Sequence, residues 1–262
     1  MKPKVSIITG VYNAENYIRE TIDSVLSQTL ENFEWIVIDD GSKDKTTDIL
    51  KGFSDGRIKL VQQTNMGLTA TLNSCLKLST GNYIARIDAD DLWEKTKLQK
   101  QVDFLEKYPE YSMIATNYEQ ISESGDRLGR RHCPHIGDHE QICKAFIRFN
   151  PFAHSSVMFR KNVYEEIGGY NPDFKYTQDY EYWIRIASNY KLCSLEEVLT
   201  YHRLSYQSIS FSKLRAQRTY ALRAKFLAYK TFKYSLVELR YLIKDSIIAN
   251  IPQIIVKLIK RL

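Results

Sequence analysis

The sequence predicts an α/β fold with a mostly parallel central sheet, flanked by helices and followed by a helical C-terminal extension. Three observations carry this. Strand-like and helix-like runs alternate through the first 117 residues. After Tyr118 the alternation breaks down into loops and helices. From Phe211 onward the chain has no glycine and a single proline, Pro252, so little interrupts helix. Repeated β-α-β units with short connections form a parallel sheet covered on both faces.

Taken in order, Val5-Ser6-Ile7-Ile8 is a β-rich run, and Tyr17, Ile18, Ile22, Val25 and Leu26 then recur at helical spacing. Phe33 to Ile38 is a second, buried strand, closed by Asp39-Asp40-Gly41-Ser42, with a helix from Thr46 to Phe53. Strands follow at Ile58–Val61, Tyr83–Ile87 and Met113–Thr116, and helices at Leu68–Leu78 and Thr96–Lys107. Ser124-Gly125-Asp126 reads as a hairpin turn, and Arg130 to Asp138 as a loop. Helix signals return at His139–Phe149, Asn162–Ile167 and Asp179–Ser188, and Val198–Tyr201 is strand-like.

The 262 residues carry a formal charge of +6, unevenly distributed. Residues 211–262 hold 12 basic and 2 acidic residues, while residues 1–210 hold 25 basic and 29 acidic. A mildly acidic body with a basic tail excludes a general nucleic-acid binder, whose positive charge studs the folded domain. At 44% hydrophobic and 12% aromatic residues the chain can bury a core and is not disordered. No apolar run exceeds four residues, so no spanning helix is expected. The N-terminus leads straight into a strand without a signal-peptide stretch, and Cys75, Cys133, Cys143 and Cys193 show no CxxC spacing. Reduced thiols and a cytoplasmic location are the expectation.

Open parallel sheets bind ligands at the carboxyl ends of their strands, where two acidic clusters fall. Asp39-Asp40 closes the second strand; such a pair also serves as a helix cap or a solvated turn. Asp88-Ala89-Asp90-Asp91 closes the fourth. Three carboxylates within four residues repel one another unless a cation neutralises them, and hard divalent ions take oxygen ligands. GxGxxG and GxxxxGK[ST] are both absent, so a bound nucleotide's phosphates would meet metal and basic side chains instead. An Asp-x-Asp that shares Mg²⁺ or Mn²⁺ with a diphosphate does that work. A phosphatase with an Asp nucleophile also begins DxD, but Leu92 stands where it needs Thr or Val.

Val5-Ser6-Ile7-Ile8-Thr9-Gly10-Val11-Tyr12-Asn13, Ser24 to Thr29, and Val37-Ile38-Asp39-Asp40-Gly41-Ser42-Lys43-Asp44 resemble the opening of family 2 glycosyltransferases. Asn65-x-Gly67 with Asn73, Gly81-x-Tyr83-Ile84 and Asp88-Ala89-Asp90-Asp91 continue the resemblance in order, over about residues 4–210. It implies a GT-A nucleotide-diphospho-sugar transferase fold and an inverting, metal-assisted transfer from a nucleotide sugar, with a UDP-linked donor expected. It further implies a catalytic domain over 1–210, divided into a nucleotide-sugar half (1–117) and an acceptor half (118–210).

The resemblance places Thr9, Tyr12, Asp39 and Asp40 around the nucleoside, with Asn65, Gly67 and Asn73 also on the donor side. Asp88 falls toward the ribose or donor sugar, with Asp90 and Asp91 on the metal. Relatives carry Arg before the equivalent of Asn73, where this chain has Leu72. Gln178-Asp179 resembles the family's Glu-Asp pair at a helix start. Asp179 is therefore the expected base, with helix capping the alternative role. His154, at a strand start, matches an acceptor-side His or serves as a structural residue. Arg203 is expected to face the diphosphate. His132-Cys133-Pro134-His135 with His139 and Cys143 suggests zinc, but its spacing fits no standard site.

In the tail, Ile247, Ile248, Ile251, Ile254, Ile255, Leu258, Ile259 and Leu262 form one apolar stripe opposite basic and polar residues. Such a helix packs on its own domain, pairs in a homodimer, or lies on an anionic membrane surface. The expectation is a peripheral cytoplasmic enzyme that extends a surface glycan or lipid-linked saccharide acceptor. The alternatives are a degenerate nucleotide- or membrane-binding scaffold and a nucleotidyltransferase, whose Gly-rich, Arg-bearing loop is missing after the first strand.

Overall fold

The computed structural model describes residues 2–130, 137–205 and 214–250. The first half runs β1 (Val5–Val11), α1 (Ile18–Leu26), β2 (Phe33–Asp39), α2 (Thr46–Lys51), β3 (Ile58–Gln62), α3 (Leu68–Leu78) and β4 (Tyr83–Arg86). Then come β5 (Leu92–Trp93), α4 (Lys97–Lys107), β6 (Tyr111–Ile121), β7 (Arg127–Arg130) and α5 (His139–Ala145). The remainder is β8 (Met158–Arg160), α6 (Lys161–Ile167), α7 (Gln178–Ala187), β9 (Lys191–Arg203), α8 (Leu214–Thr231) and α9 (Leu239–Asn250).

The sheet order is β3-β2-β1-β4-β8-β6-β9-β5, with β7 on β6. β3, β2, β1 and β4 are mutually parallel, Val5 lying opposite both Phe33 and Tyr83. Every residue of β2 is buried, as a central strand covered on both faces requires. Strand alternation divides its side chains between two cores. Trp35 and Val37 join α1 and α4, through Ile18, Ile22, Leu98 and Val102. Ile36 and Ile38 join α3 and α7, through Leu72, Cys75, Tyr182 and Trp183. The chain leaves β1 for β2 on one side and returns to β4 on the other, which opens a crevice at the carboxyl ends of these strands.

The second half of the sheet is mixed. The short β8 runs antiparallel between β4 and β6, entered from a 3-10 turn at His154–Ser156. β6 and β9 pair in parallel over almost their full lengths, far beyond the Met113–Thr116 and Val198–Tyr201 expected from the sequence. Register shifts at Thr116/Asn117 and Asn117/Tyr118 break the period-2 pattern by which their outer ends would have been recognised.

Helices α8 and α9 pack on the body. Ala224 and Ala228 enter the α3/α7 core, and Phe232 stacks on Phe146 at 6.0 Å. The Lys225 ammonium is held by the Arg148 carbonyl and Asp245, and the Tyr234 hydroxyl donates to the Cys143 carbonyl. The apolar stripe from Ile251 onward lies outside the described residues. No described helix is long and apolar enough to cross a membrane.

Gly81 marks the closest approach of the α3–β4 turn to β1. A Cβ there would stand 2.6 Å from the Ser6 nitrogen and 2.8 Å from the Val5 carbonyl carbon, both backbone atoms that cannot yield. Gly81→Ala should therefore lose roughly 1–3 kcal/mol of stability. Urea denaturation checks this; a midpoint equal to that of the parent would contradict the contact.

Candidate active site

β1 and β2 end side by side, Val11 opposite Asp39. The Asp39 carboxylate accepts the Ser42 N–H (2.9 Å) and the Thr47 hydroxyl, closing the turn into α2. The Asp40 carboxylate accepts Gln63 Nε2 (2.7 Å) and the Met66 and Gly67 N–H groups (2.8 and 2.9 Å). Both carboxylates are buried, so they shape the crevice through the loops they hold. Gly41 makes this possible: its φ of +78° suits glycine, and a Cβ would meet the Asn65 nitrogen at 3.0 Å. Asn13 joins the facing loops, its N–H donating to Ser42 Oγ and its Oδ1 accepting the Lys43 N–H. Tyr12 stands exposed on the rim, as does Asn65, while Gly67 opens α3 at a φ of +85°.

Two donor-side expectations are corrected. Thr9 is fully buried, its hydroxyl accepting the Trp35 indole N–H (2.9 Å) and donating to the Ile87 carbonyl (3.1 Å). It fastens β1 to its neighbours and reaches no base. Asn73 is committed at both ends of its amide: Nδ2 donates to the Tyr170 carbonyl and Oδ1 accepts the Tyr170 N–H, each at 2.8 Å. It pins the Gly168-Gly169-Tyr170 loop to α3. Leu72, where relatives carry Arg, is a fully buried core residue.

At the end of β4 the three carboxylates of residues 88–91 have different surroundings. Asp88 pairs with Arg86, two residues earlier on the same face of the strand. Against the burial that would raise it, the Arg86 charge holds Asp88 below the usual carboxylate range. Arg86 is completely buried, and its Nε and Nη1 have no protein partner. The sequence reading passed over it, although an arginine inside the buried run Tyr83–Ile87 was itself a signal. Asp91 is also buried, and its carboxylate accepts the Arg203 N–H (2.9 Å) and the Ser155 hydroxyl. Those bonds turn it inward, which corrects its assignment as a metal ligand.

Asp90 is half-buried, and no cation among the described residues pairs with it. Burial and the charges of Asp91 and Asp88 push it well above the usual carboxylate range. No group of three or more His, Cys, Asp or Glu side chains assembles among the described residues. A cation here would thus rest on one or two carboxylates and complete its shell from phosphate oxygens, as magnesium sites on nucleotides do. The uncompensated charge at Asp90 fits that arrangement. For the zinc reading, Cys143 Sγ lies 3.5 Å from His139 Nε2, but residues 132, 133 and 135 are outside the described residues.

Arg203 does not face this cluster. Its guanidinium is fully buried, with Nε on the Asp90 carbonyl (2.8 Å), Nη1 on the Ser122 and Glu123 carbonyls, and Nη2 on Glu20 (2.6 Å). It also lies 4.9 Å from the centre of the Tyr17 ring. Alternation along β9 turns the adjacent His202 the other way, toward Asp88 and Asp91, and burial raises Asp91 above its ordinary value. His202 Nδ1 is buried without a partner.

Asp179 occupies the second position of α7, following Thr177, which is left-handed at φ 56° and caps with no side-chain bond. Asp179 is therefore inside the helix rather than its cap. Its Oδ2 accepts Nδ2 of Asn150 at 2.7 Å. Burial, reinforced by the charge of Asp88, pushes it up to about 6 against the bonds from the Tyr180 N–H and Asn150. Asn150 lies 29 residues away, and nothing in the sequence marked it. His154 Nε2 meets the Tyr170 hydroxyl at 2.9 Å, and its ring lies edge-on to Trp183. Burial and Arg86 push it down to about 3, so this imidazole is neutral.

Comparison with known proteins agrees with this geometry. Residues 6–168 match the model of Glycosyl transferase family 2. The chain is 36% identical over 260 residues to the putative glycosyltransferase EpsE of Bacillus subtilis (strain 168), covering 95% of this chain and 90% of that protein. S. aureus TarS 1–349, solved in complex with UDP-GlcNAc, superposes with a TM-score of 0.71 at 19% identity, over 91% of this chain and 70% of that one. The mannosyltransferase PcManGT from Pyrobaculum calidifontis, solved with GDP-Man and Mn²⁺, gives 0.65 at 18% identity, over 94% and 69%. Fold and relatives together define a glycosyltransferase with the GT-A fold. The chain belongs to glycosyl transferase family 2.

The placement of Arg203 makes a direct claim. Arg203→Ala should lower stability by roughly 2–5 kcal/mol, since it leaves the Asp90, Ser122 and Glu123 carbonyls without their donor and opens a cavity where the side chain stood. Denaturant titration measures this. A variant of parental stability that had lost only nucleotide binding would restore Arg203 to the diphosphate.

Proposed function

We propose that this glycosyltransferase inverts the anomeric centre of a nucleotide-diphosphate sugar, UDP-linked in the simplest case, on transfer to a saccharide or lipid-linked hydroxyl. The observation that carries the reading is Asp179, half-buried on the far side of the crevice from the β1 and β2 loops, oriented by Asn150 and raised to about 6. A base of that strength is ionised at neutral pH yet basic enough to take a proton from an attacking hydroxyl. On the donor side, Tyr12 and Asn65 line the rim and Asp39 and Asp40 hold the loops that receive the nucleoside. Asp88, kept anionic by Arg86, accepts hydroxyls of the ribose or donor sugar.

Asp90, with Asp88 and His202 near it, would hold Mg²⁺ or Mn²⁺ together with diphosphate oxygens. When bound, such an ion supplies charge stabilisation to the departing nucleoside diphosphate. His154, neutral and bonded to Tyr170, shapes the acceptor side. The division at residue 117 into donor and acceptor halves follows the same line, Asp179 and Asn150 both falling after it.

Asp179→Asn should abolish transfer while leaving nucleotide binding intact; undiminished transfer overturns the assignment. For the parent, kcat/KM should fall as pH drops through about 6, because protonated Asp179 cannot accept the hydroxyl proton. Removing the Asn150 hydrogen bond, which favours the anion, should move that limb to higher pH in Asn150→Ala.

We further propose that the C-terminal hairpin rests on an anionic membrane surface at the cytoplasmic face. Leu236, Val237, Ile243 and Ile247 are exposed beside Lys233, Arg240 and Lys244. Apolar side chains among basic ones suit the interface of anionic lipid, where each cation adds about 1 kcal/mol. Ile243→Gln/Ile247→Gln should weaken cosedimentation with phosphatidylglycerol vesicles several-fold. Unchanged binding would remove the hairpin as the anchor.

A further inference from the structure

Helix α8 carries Arg215, Arg218, Arg223, Lys225 and Lys230 and no acidic residue. Lys225 is neutralised by Asp245. Arg215 and Arg223 are exposed, and neither has a carboxylate partner among the described residues. Spaced eight residues apart with Thr219 between them, they form one stripe along the helix. At its Arg223 end this stripe lies against the segment that leads into Asp179. Arg223 Nη1 donates to the Asp173 carbonyl at 3.3 Å, and its guanidinium lies 4.8 Å from the Phe174 ring centre and 5.1 Å from that of Tyr220. Tyr220 in turn meets Tyr176 at 5.6 Å, ring edge to ring face. Tyr176 is three residues before Asp179, and Lys175 beside it is exposed. Thr69 Oγ1 donates to the Phe174 carbonyl, tying the segment to α3.

We propose that this aromatic and basic ledge is an acceptor subsite for a saccharide that carries an oxyanion, a phosphate or a carboxylate, close to its reacting hydroxyl. Partly exposed tyrosine rings offer apolar faces for a sugar ring and hydroxyls for its polar edge. Arginine held by ring contacts presents a preorganised fork to an oxyanion. Against Asp173 and Asp179, the three cations Lys175, Arg215 and Arg223 leave one positive charge in excess, which disfavours a cationic acceptor and gives a neutral one no use for the charge. The inference rests on Asp179 as the acceptor-side base, since only that makes the neighbouring segment the acceptor's approach.

The test uses the full chain with Mn²⁺ and saturating UDP or GDP, which closes the donor site to added sugars. Glucose 1-phosphate, methyl glucuronide and methyl glucoside are titrated in parallel by isothermal calorimetry. At least one anionic sugar should bind ten-fold or more tightly than methyl glucoside, and which one identifies the oxyanion as phosphate or carboxylate. In Arg215→Gln/Arg223→Gln that preference should vanish, while nucleotide affinity and methyl glucoside binding stay as in the parent. Equal binding of the three sugars, or a preference that survives in the double variant, overturns the subsite. Failure of both nucleotides to bind would instead count against the donor-site reading, and the comparison of the three sugars would still decide the ledge.

Discussion

Three carboxylates at the end of one strand are unstable company, and much of this structure answers to holding them there. Arg86 approaches Asp88 from within β4, and Arg203 brings the end of β9 to the same turn through its N–H on Asp91 and its Nε on the Asp90 carbonyl. A buried guanidinium is costly to the extent that its donors go unused. Those of Arg203 reach Glu20 on α1 and the carbonyls of the β6–β7 turn, so one side chain sets the mutual placement of four elements. The pairing of Leu92 with Tyr201 and Trp93 with Thr200 follows from the same junction, and with it the place of His202.

How legible all this was in the sequence depended on distance along the chain. The parallel half could be read because each of its strands and helices announces itself locally, by period, by length and by the Gly and Asp residues at its ends. The acidic turn at 88–91 could be read for the same reason. Arg203 could not, because its orientation depends on which face of β9 meets the turn, and three register shifts separate that end of the pairing from its start. The expectation that Arg203 faces a diphosphate could not anticipate that its guanidinium is spent on Glu20 and three carbonyl groups. Asn73 and Thr9 were misplaced for a related reason. A polar residue in a motif reads equally as a ligand contact or as mortar, and only the partner, Tyr170 or Trp35, distinguishes them. Asn150 and Ser155 were invisible because their partners lie 29 and 64 residues away.

The same residue type thus meets four environments in one crevice. Asp39 and Asp40 are consumed by backbone N–H groups and neighbouring side chains, Asp88 is drawn down by a buried arginine, Asp90 is pushed up by its neighbours, and Asp179 is raised by burial. Composition reports only an acidic body; environment separates the carboxylates by partner and by proton affinity. Asp88 also figures among the charges that raise Asp179, so the donor and acceptor sides are electrostatically in contact across the crevice. A cation that neutralised Asp88 would therefore also lower Asp179.

The basic C-terminal segment, which in composition looks like one undivided charge, separates in the same way. Lys225 is interior and belongs to the α8–α9 junction, where its charge is answered by Asp245. Arg223 is shared between packing and solvent, resting on Phe174 and Tyr220, with no carboxylate partner among the described residues. Arg240 and Lys244 flank exposed isoleucines on α9. A helix that joins the same core as α3 and α7 is not an appendage, because Ala224 and Ala228 are completely buried in that core. Its charge is consequently held at fixed positions relative to Asp179. Cations held at fixed positions act on whatever comes near them, and an anionic partner gains from such an array without ordering a loose tail.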